Sequence, residues 1–519
     1  VQGVKIPAKA NLQVLTGDNF PMQLLKNLFG RSEKKEATTP PATSGNVALD
    51  KARADFAAGQ FDAAHGHCRD AIAQAPGNLD VLELAFQIAN KRQVYDEAIT
   101  WLHAADPSSA QRDFMLGRLY MANGNLQAAE DHLRKSLERD PKLAKAHNSL
   151  GALLQIQGKP DEAMVCYQAA HALDPSLWRA SYNIANLHKL RGQFELALEP
   201  FQDALRARHG LDVSDEVAED EDWRTTSSKL THDIEQLDYL IARGIGGEHA
   251  PAARQALEHV LVLMETEFAA GRVSLLPEAK KIAMPYYNRL TNFYNAPALP
   301  GGAINQDQDW AAIEASYFTN APGMTYMDNF LKPEALASLR RFCLESTIWF
   351  DTLYGGGYVG CTCEDGFICP LLLQIAEEQR LALPRIFGED RIHGLWGYKY
   401  DSRQSGIKVH ADFAAVNVNF WLTPDDANLD PNHGGLVIWD KEAPLEWDFN
   451  DYNSNTSRIQ QFLQESGAKP FTVPHKQNRV VLFNSDLFHK TDDYSFKPGY
   501  ENRRINVTML YGDRRHSQR

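Results

Sequence analysis

At 519 residues the chain is too long for one ordinary core, and its apolar fraction of 44% is that of a folded protein with two or more domains. A net charge of −14 at pH 7 argues against binding to nucleic acid or to an anionic membrane, because both need a basic surface. No apolar run approaches the roughly 20 residues that span a bilayer, no signal peptide opens the chain, and six scattered cysteines make no disulfide framework, so a cytoplasmic location without a membrane partner is expected.

The first methionine is Met22, so residues 1–21 read as an upstream extension. Residues 31–46, RSEKKEATTPPATSGN, offer little to bury, and 1–46 as a whole reads as a flexible segment and linker. From 47 to 210 a period sets in. Ala64, Ala98, Ala129, Ala163 and Ala197 are spaced by 34, 31, 34 and 34 residues, with Pro76, Pro141 and Pro175 each twelve residues further on and Pro107 nine. Gly117, Gly151 and Ala185 recur eight or so residues into a unit. Small residues let two antiparallel helices approach, and the proline ends the second helix before the next pair. The pattern resembles about five tetratricopeptide repeats, which implies an α-helical solenoid with a concave surface for a peptide or protein. The short second unit predicts a short second helix.

Residues 211–222, LDVSDEVAEDED, read as a solvated acidic loop. Helical patterns behind it, in KLTHDIEQLDYLIARG and ARQALEHVLVLMETEFAAG, complete a bridge over 211–310. From 311 to 519 the texture changes to short β-branched and aromatic runs at 394–400, 414–422, 434–440, 478–484 and 504–512, the spacing of a barrel or double-sheet jelly roll. Amphipathic segments 331–346 and 368–388 are expected as helices on its outside. CTCEDGFIC (361–369) lacks a fourth ligand for a soft metal and reads as a loop with free thiols.

Alternation along a strand makes His410 and Asp412 project the same way, with Cα atoms roughly 6–7 Å apart. His489 ends a second strand, and Arg503 and Arg504 head a third. Two histidines and a carboxylate are the ligands of a non-haem Fe(II) centre that keeps positions open. An arginine adds a bidentate grip on a carboxylate, and strand alternation turns Arg503 and Arg504 to opposite faces. His433 in DPNHGG and His475 in VPHK read as exposed loop histidines, and His393 as a core or surface one.

The order Tyr400, HxD at 410–412, Gly434 with Gly435, VLFNSDLFH ending at 489 and RINVTMLY from 504 resembles the Fe(II)/2-oxoglutarate-dependent dioxygenases, in particular their prolyl-hydroxylase-like branch. That resemblance implies a multidomain α + β protein, the helical solenoid followed by a double-stranded β-helix (jelly roll) with flanking helices. It implies His410, Asp412 and His489 as catalytic metal ligands. Arg504 is implied as the 2-oxoglutarate binder, since Val507, Met509 and Tyr511 follow it in the branch's pattern, with Arg503 in reserve. Tyr400 and Tyr398 would hydrogen bond the co-substrate. Asn417 and Asn419 would line the pocket or face solvent.

The implied cofactors are Fe(II), 2-oxoglutarate and O2, with ascorbate as a supporting reductant. Segment 441–470 is longer than the branch requires and is expected as an insertion of loop and short helix that acts as a lid. Related halogenases lack the carboxylate ligand, so Asp412 favours hydroxylation. Aspartyl/asparaginyl β-hydroxylases share the two-part architecture but replace that ligand. The expected function is hydroxylation of a side chain in a peptide or protein recruited by the repeats. The alternatives are a small-molecule hydroxylase and a non-catalytic repeat scaffold.

Overall fold

The computed structural model describes residues 47–212, 223–320, 322–352, 357–401 and 406–514. The expected linker within 1–46 and most of the acidic run lie outside the described residues.

Among the described residues four helix pairs come first, α1 (Val47–Ala57) with α2 (Phe61–Gln74), α3 (Leu79–Arg92) with α4 (Asp96–His103), α5 (Ala110–Ala122) with α6 (Leu126–Arg139) and α7 (Ala144–Ile156) with α8 (Pro160–Leu173), and α9 (Trp178–Leu190) and α10 (Phe194–His209) follow them in the chain. Helix α4 has 8 residues where α2, α6 and α8 have 14, which is how the 31-residue unit is accommodated. Asn78, Ser109 and Asn125 cap their helices through side-chain oxygens that accept backbone N–H bonds. Pairing is close because the partner side chain occupies the space a β-carbon would need. A Cβ on Gly151 would lie 2.7 Å from the Tyr167 ring, and one on Gly117 2.6 Å from Leu133.

The described residues form two compact units that divide between Leu187 and His188, inside α9, rather than at residue 210. Helix α10 therefore belongs to the second unit. There it packs on a helix at Pro370–Ala382 and on the turn Cys363–Asp365, and Gln202 donates to Asn295 Oδ1 at 3.0 Å.

The second unit contains nine strands in its two main sheets: β1 (Met324–Met327), β2 (Tyr358–Thr362), β3 (Ile392–Tyr400), β4 (Val416–Trp421), β5 (Leu436–Glu442), β6 (Pro470–Val473), β7 (Val480–Asn484), β8 (Leu487–Thr491) and β9 (Arg504–Tyr511). One sheet has six strands in the order β1-β7-β4-β9-β3-β2, the other three in the order β8-β5-β6, and every pairing is antiparallel. Trp421, Val481 and Phe483 from the larger sheet pack against Leu436, Ile438, Val473 and Leu487 from the smaller. Each side chain so buried contributes roughly 1.5–3 kcal/mol relative to exposure.

Residue alternation decides what each face of β9 does. Arg504, Asn506 and Thr508 face the space between the sheets. Ile505, Val507, Met509 and Tyr511 face outward, where the Tyr511 hydroxyl donates to Ala376 O at 3.0 Å on the Pro370–Ala382 helix. The 368–388 segment is two helices, because Pro384 lacks the N–H to continue the first and opens a second at Pro384–Phe387. CTCEDGFIC is not a loop of accessible thiols: Cys361 lies in β2, and Cys361, Cys363 and Cys369 are all buried. Burial raises all three thiols, that of Cys369 to about 12, so they act as small apolar core residues. The chain is thus a helical repeat region followed by a sheet-rich region. No helix among the described residues is long and apolar enough to cross a membrane.

Candidate metal centre

His410 and Asp412 precede β4 instead of lying within a strand. Their geometry comes from single bridges. His410 N–H donates to His489 O at 3.0 Å, His489 N–H returns to His410 O at 2.8 Å, and Asp412 N–H donates to Ser485 O at 3.2 Å. His489, in the middle of β8 and not at a strand end, thus holds His410, and Ser485 in the turn before β8 holds Asp412.

The three side chains converge. Asp412 Oδ1 lies 3.6 Å from His410 Nε2 and Oδ2 3.5 Å from His489 Nε2, and all three ligand atoms lie within 4.8 Å of one another. Among the described residues they are the one group of three or more such side chains with metal-ligand spacing. His410 Nδ1 sits 2.8 Å from Lys408 O and His489 Nδ1 3.0 Å from Leu487 O. A carbonyl can only accept, so each Nδ1 donates to its carbonyl and each Nε2 is the nitrogen turned to the Asp412 carboxylate.

Burial and the neighbouring His489 push the His410 imidazole down to about 4, against the pull of Asp412, so it is neutral at pH 7. Burial works against ionisation of Asp412, yet the contacts with His489, His410 and Asn417 hold its carboxyl below the usual range. Two imidazole Nε2 atoms and a carboxylate at this spacing are the donors that a non-haem metal ion takes. The donor set therefore fits a divalent transition metal such as Fe(II).

The 441–470 segment contains the expected short helix and packs on residues that flank the candidate ligands. It contains α11 (Thr456–Glu465), and Tyr452, Ile459 and Leu463 pack on Val409, Ala411 and Phe488, the neighbours of the ligands. Ala411, the residue between His410 and Asp412, donates its N–H to Tyr452 O at 2.8 Å and accepts at its carbonyl from Asn453 at 3.0 Å. The Arg514 guanidinium stacks on Tyr452 at 4.1 Å and donates to Ala443 O at 2.7 Å, tying the C-terminal strand to the same segment.

From Asp412 a polar line crosses the inner face of the larger sheet. Asn417 donates to Asp412, Asn419 donates to Asn417, and Asn419 Oδ1 accepts from Asn506 at 2.9 Å and Thr508 at 2.8 Å. Asn417 and Asn419 are buried, which removes the solvent-facing alternative for them.

Arg504 stands at the far end, 1% exposed, with its guanidinium 4.6 Å from the Tyr400 ring. Its Nε donates to Gly434 O at 2.6 Å and its Nη2 to Gly435 O at 3.0 Å, while Nη1 is buried without a partner. Glycine is required at both acceptors. Gly434 has φ 87°, and a Cβ on Gly435 would lie 1.9 Å from Val473 O. Tyr400 Oη is 3.4 Å from Thr491 Oγ1, and Thr491 follows His489 by two residues, about 7 Å, on the same face of β8, which links the arginine end to the triad end.

Arg503 turns the other way and pairs with Glu235 at 2.8 Å. Tyr398 packs on Tyr358, with ring centroids 5.5 Å apart. His433 lies 3.0 Å from Asp492, and His393 is half-buried beside Phe413. His475 is not an exposed loop histidine. It is 5% exposed, packed against Trp421 and Phe496, because its backbone is drawn under Gly434 and Gly435. Nothing local in VPHK signals that approach.

Comparison with known proteins bears on the helical half. The tetratricopeptide repeat family matches residues 114–143 and 144–177, so the chain contains tetratricopeptide repeats. The chain is 33% identical over 128 residues to the peroxisomal targeting signal receptor of Kluyveromyces lactis, which is 25% of this chain and 22% of that protein. It is 30% identical over 122 residues to human tetratricopeptide repeat protein 7A, 23% of this chain and 13% of that one. The chain thus spans less than a quarter of the length of these relatives. Among solved structures, MamA is similar at 23% identity over 30% of this chain and 93% of its own, with a TM-score of 0.27. A thermophilic TPR protein of Thermus thermophilus is similar at 21% identity over 31% of this chain and 89% of its own, with a TM-score of 0.28.

Proposed function

We propose that the sheet-rich region is an Fe(II)- and 2-oxoglutarate-dependent dioxygenase with a double-stranded β-helix fold, and that it hydroxylates a side chain of a peptide or protein recruited by the repeats. The observation that carries this reading is one interior holding a two-histidine, one-carboxylate triad and a buried arginine with an unpartnered Nη1.

In this reading His410, Asp412 and His489 hold the iron through Nε2, a carboxylate oxygen and Nε2. Asn417 fixes the carboxylate rotamer by donating to it. Arg504 binds the far carboxylate of the co-substrate. Its orientation is set by the Gly434 and Gly435 carbonyls and by Tyr400 beneath it, so no reorganisation is needed on binding. Bound iron, 2-oxoglutarate and O2 together supply the oxidation: one oxygen atom enters the substrate C–H as hydroxyl, the other enters succinate, and CO2 leaves. His410 is the most exposed ligand, 17% against 7% for Asp412 and 5% for His489, so substrate approaches on its side. Phe413, next to Asp412 in the chain, forms an aromatic cluster with Trp396 and Phe449.

The recruitment half of the reading rests on the repeats, an architecture that presents a concave protein-binding surface. The test is succinate release from 2-oxoglutarate with Fe(II) and ascorbate. Wild-type protein is expected to show it and Asp412→Ala to lose it. Wild type with no metal-dependent 2-oxoglutarate binding, or an Asp412→Ala protein that behaves like wild type, would refute the enzyme. Mass spectrometry of partners captured by His410→Ala protein, then exposed to active enzyme, should find a mass gain of one oxygen. Capture undiminished in a repeat-deleted chain would refute recruitment.

A further inference from the structure

We infer that His475, together with Trp421, forms the second half of the carboxylate-binding end of this interior, so that the far carboxylate of a 2-oxo dicarboxylate is read by a neutral imidazole as well as by Arg504. The inference rests on the dioxygenase reading for the identity of the ligand, and on the following geometry for the site.

Arg504 cannot hold a carboxylate by its side edge, because Nε and Nη2 are already donated to the Gly434 and Gly435 carbonyls. One edge of the guanidinium is spent on its own positioning, which leaves the two N–H groups of the unpartnered Nη1 and the second N–H of Nη2, fewer than the roughly four acceptor sites of a carboxylate. A carboxylate brings two oxygens into the low-dielectric interior, and each needs donors.

Further unpartnered donors lie close to Arg504. His475 is buried with neither ring nitrogen hydrogen bonded, and the Trp421 Nε1–H is likewise unpartnered. The two rings are 5.7 Å apart, and the Arg504 guanidinium lies 5.7 Å from the Trp421 ring. Phe496 closes the other side of His475 at 5.0 Å, and Tyr494, whose hydroxyl is also buried and unpartnered, packs at 5.7 Å from Tyr400. Burial and the charges of Arg504 and Arg479 hold His475 down to about 3, so at neutral pH the imidazole offers one N–H without adding a second charge beside Arg504. A histidine that served the core alone would be better replaced by phenylalanine, since two buried unpaired nitrogens lower stability.

The experiment measures binding, not turnover, with Mn(II) in place of iron. Wild type, His475→Phe and His475→Asn are titrated with 2-oxoglutarate, with pyruvate, which lacks the far carboxylate, and with glutarate, which lacks the 2-oxo group. The expected result is that His475→Phe raises the Kd for 2-oxoglutarate at least tenfold and leaves the Kd for pyruvate and for Mn(II) unchanged. Its ligand-free Tm should equal or exceed that of wild type, and His475→Asn, which keeps a donor, should recover part of the affinity.

A His475→Phe protein that binds 2-oxoglutarate like wild type overturns the inference and leaves the dioxygenase reading standing. Glutarate binding that depends on His475, without metal-dependent 2-oxoglutarate binding, keeps the carboxylate site and rejects the dioxygenase. Binding of none of the dicarboxylates by wild type rejects both.

Discussion

The two units treat buried polarity in contrasting ways. In the repeat unit a buried charge is closed by its neighbours: the Asp113 carboxylate, 1% exposed, is ringed by Arg112, Arg139 and His132, and Asn183 donates to Asn148 at 3.1 Å on the next helix pair. In the sheet unit the ligand atoms of His410, Asp412 and His489 converge within 4.8 Å of one another, and Arg504, His475 and Trp421 each keep an unpartnered nitrogen. The first arrangement is complete as folded and gives rigidity. The second, in the proposed function, is completed by a cation and an anion.

Replacing His489 breaks the contrast most severely. His489→Ala should lower Mn(II) affinity by more than about 100-fold, beyond the roughly 10–100-fold typical of residues that merely orient a ligand. Isothermal titration checks it, and the repeat unit's thermal transition should not move.

Tyr452→Ala removes the ring under Arg514 and the packing behind Ala411, and should destabilise the sheet unit by about 3 kcal/mol. Because it touches no ligand, metal affinity should fall only about tenfold, in the range of an outer partner. Urea unfolding with and without Mn(II) separates the two effects.

The Lys189–Glu364 pair tests electrostatics inside the second unit. Burial opposes ionisation of Glu364, but Lys189 draws its carboxyl down from 4.5 to about 2. A depressed carboxyl contributes stability above its unfolded value that is lost as pH falls from about 4.5 towards 2, here at most about 3 kcal/mol. Glu364→Gln should abolish that acid-side loss and be less stable than wild type at pH 7, by denaturant titration at both pH values.

The smallest effect belongs to the repeats. Gly151→Ala forces the Tyr167 ring aside and should lower the repeat unit's stability by about 1–3 kcal/mol, read by calorimetry, with Mn(II) affinity unchanged.

How much of this was legible follows from what is local. The helix pairs were, because the Gly/Ala and proline period is a direct record of helix–helix approach. Five of the strands were, but Met324–Met327 and Pro470–Val473 are short edge strands with little pattern, and Cys361 hid β2 by reading as loop chemistry. Leu487–Thr491 was hidden as the tail of the strand before it.

The triad and Arg504 were named from residue type and order. Their actual support was not, because the bridge between His410 and His489, the brace on Ala411 and the burial of His475 all come from residues dozens of positions away. The packing of 441–470 was hidden for the same reason: its apolar face is addressed to Val409 and Phe488, which the segment itself does not reveal.

The most direct test of the metal centre is a titration of metal-free protein with Mn(II), followed by electron paramagnetic resonance, in wild type and in the His410→Ala/Asp412→Ala double variant. One tightly bound Mn(II) per chain, a spectrum altered by 2-oxoglutarate, and loss of both in the variant are the predicted result. Saturable Mn(II) binding that survives in the variant, or none in wild type, would contradict it.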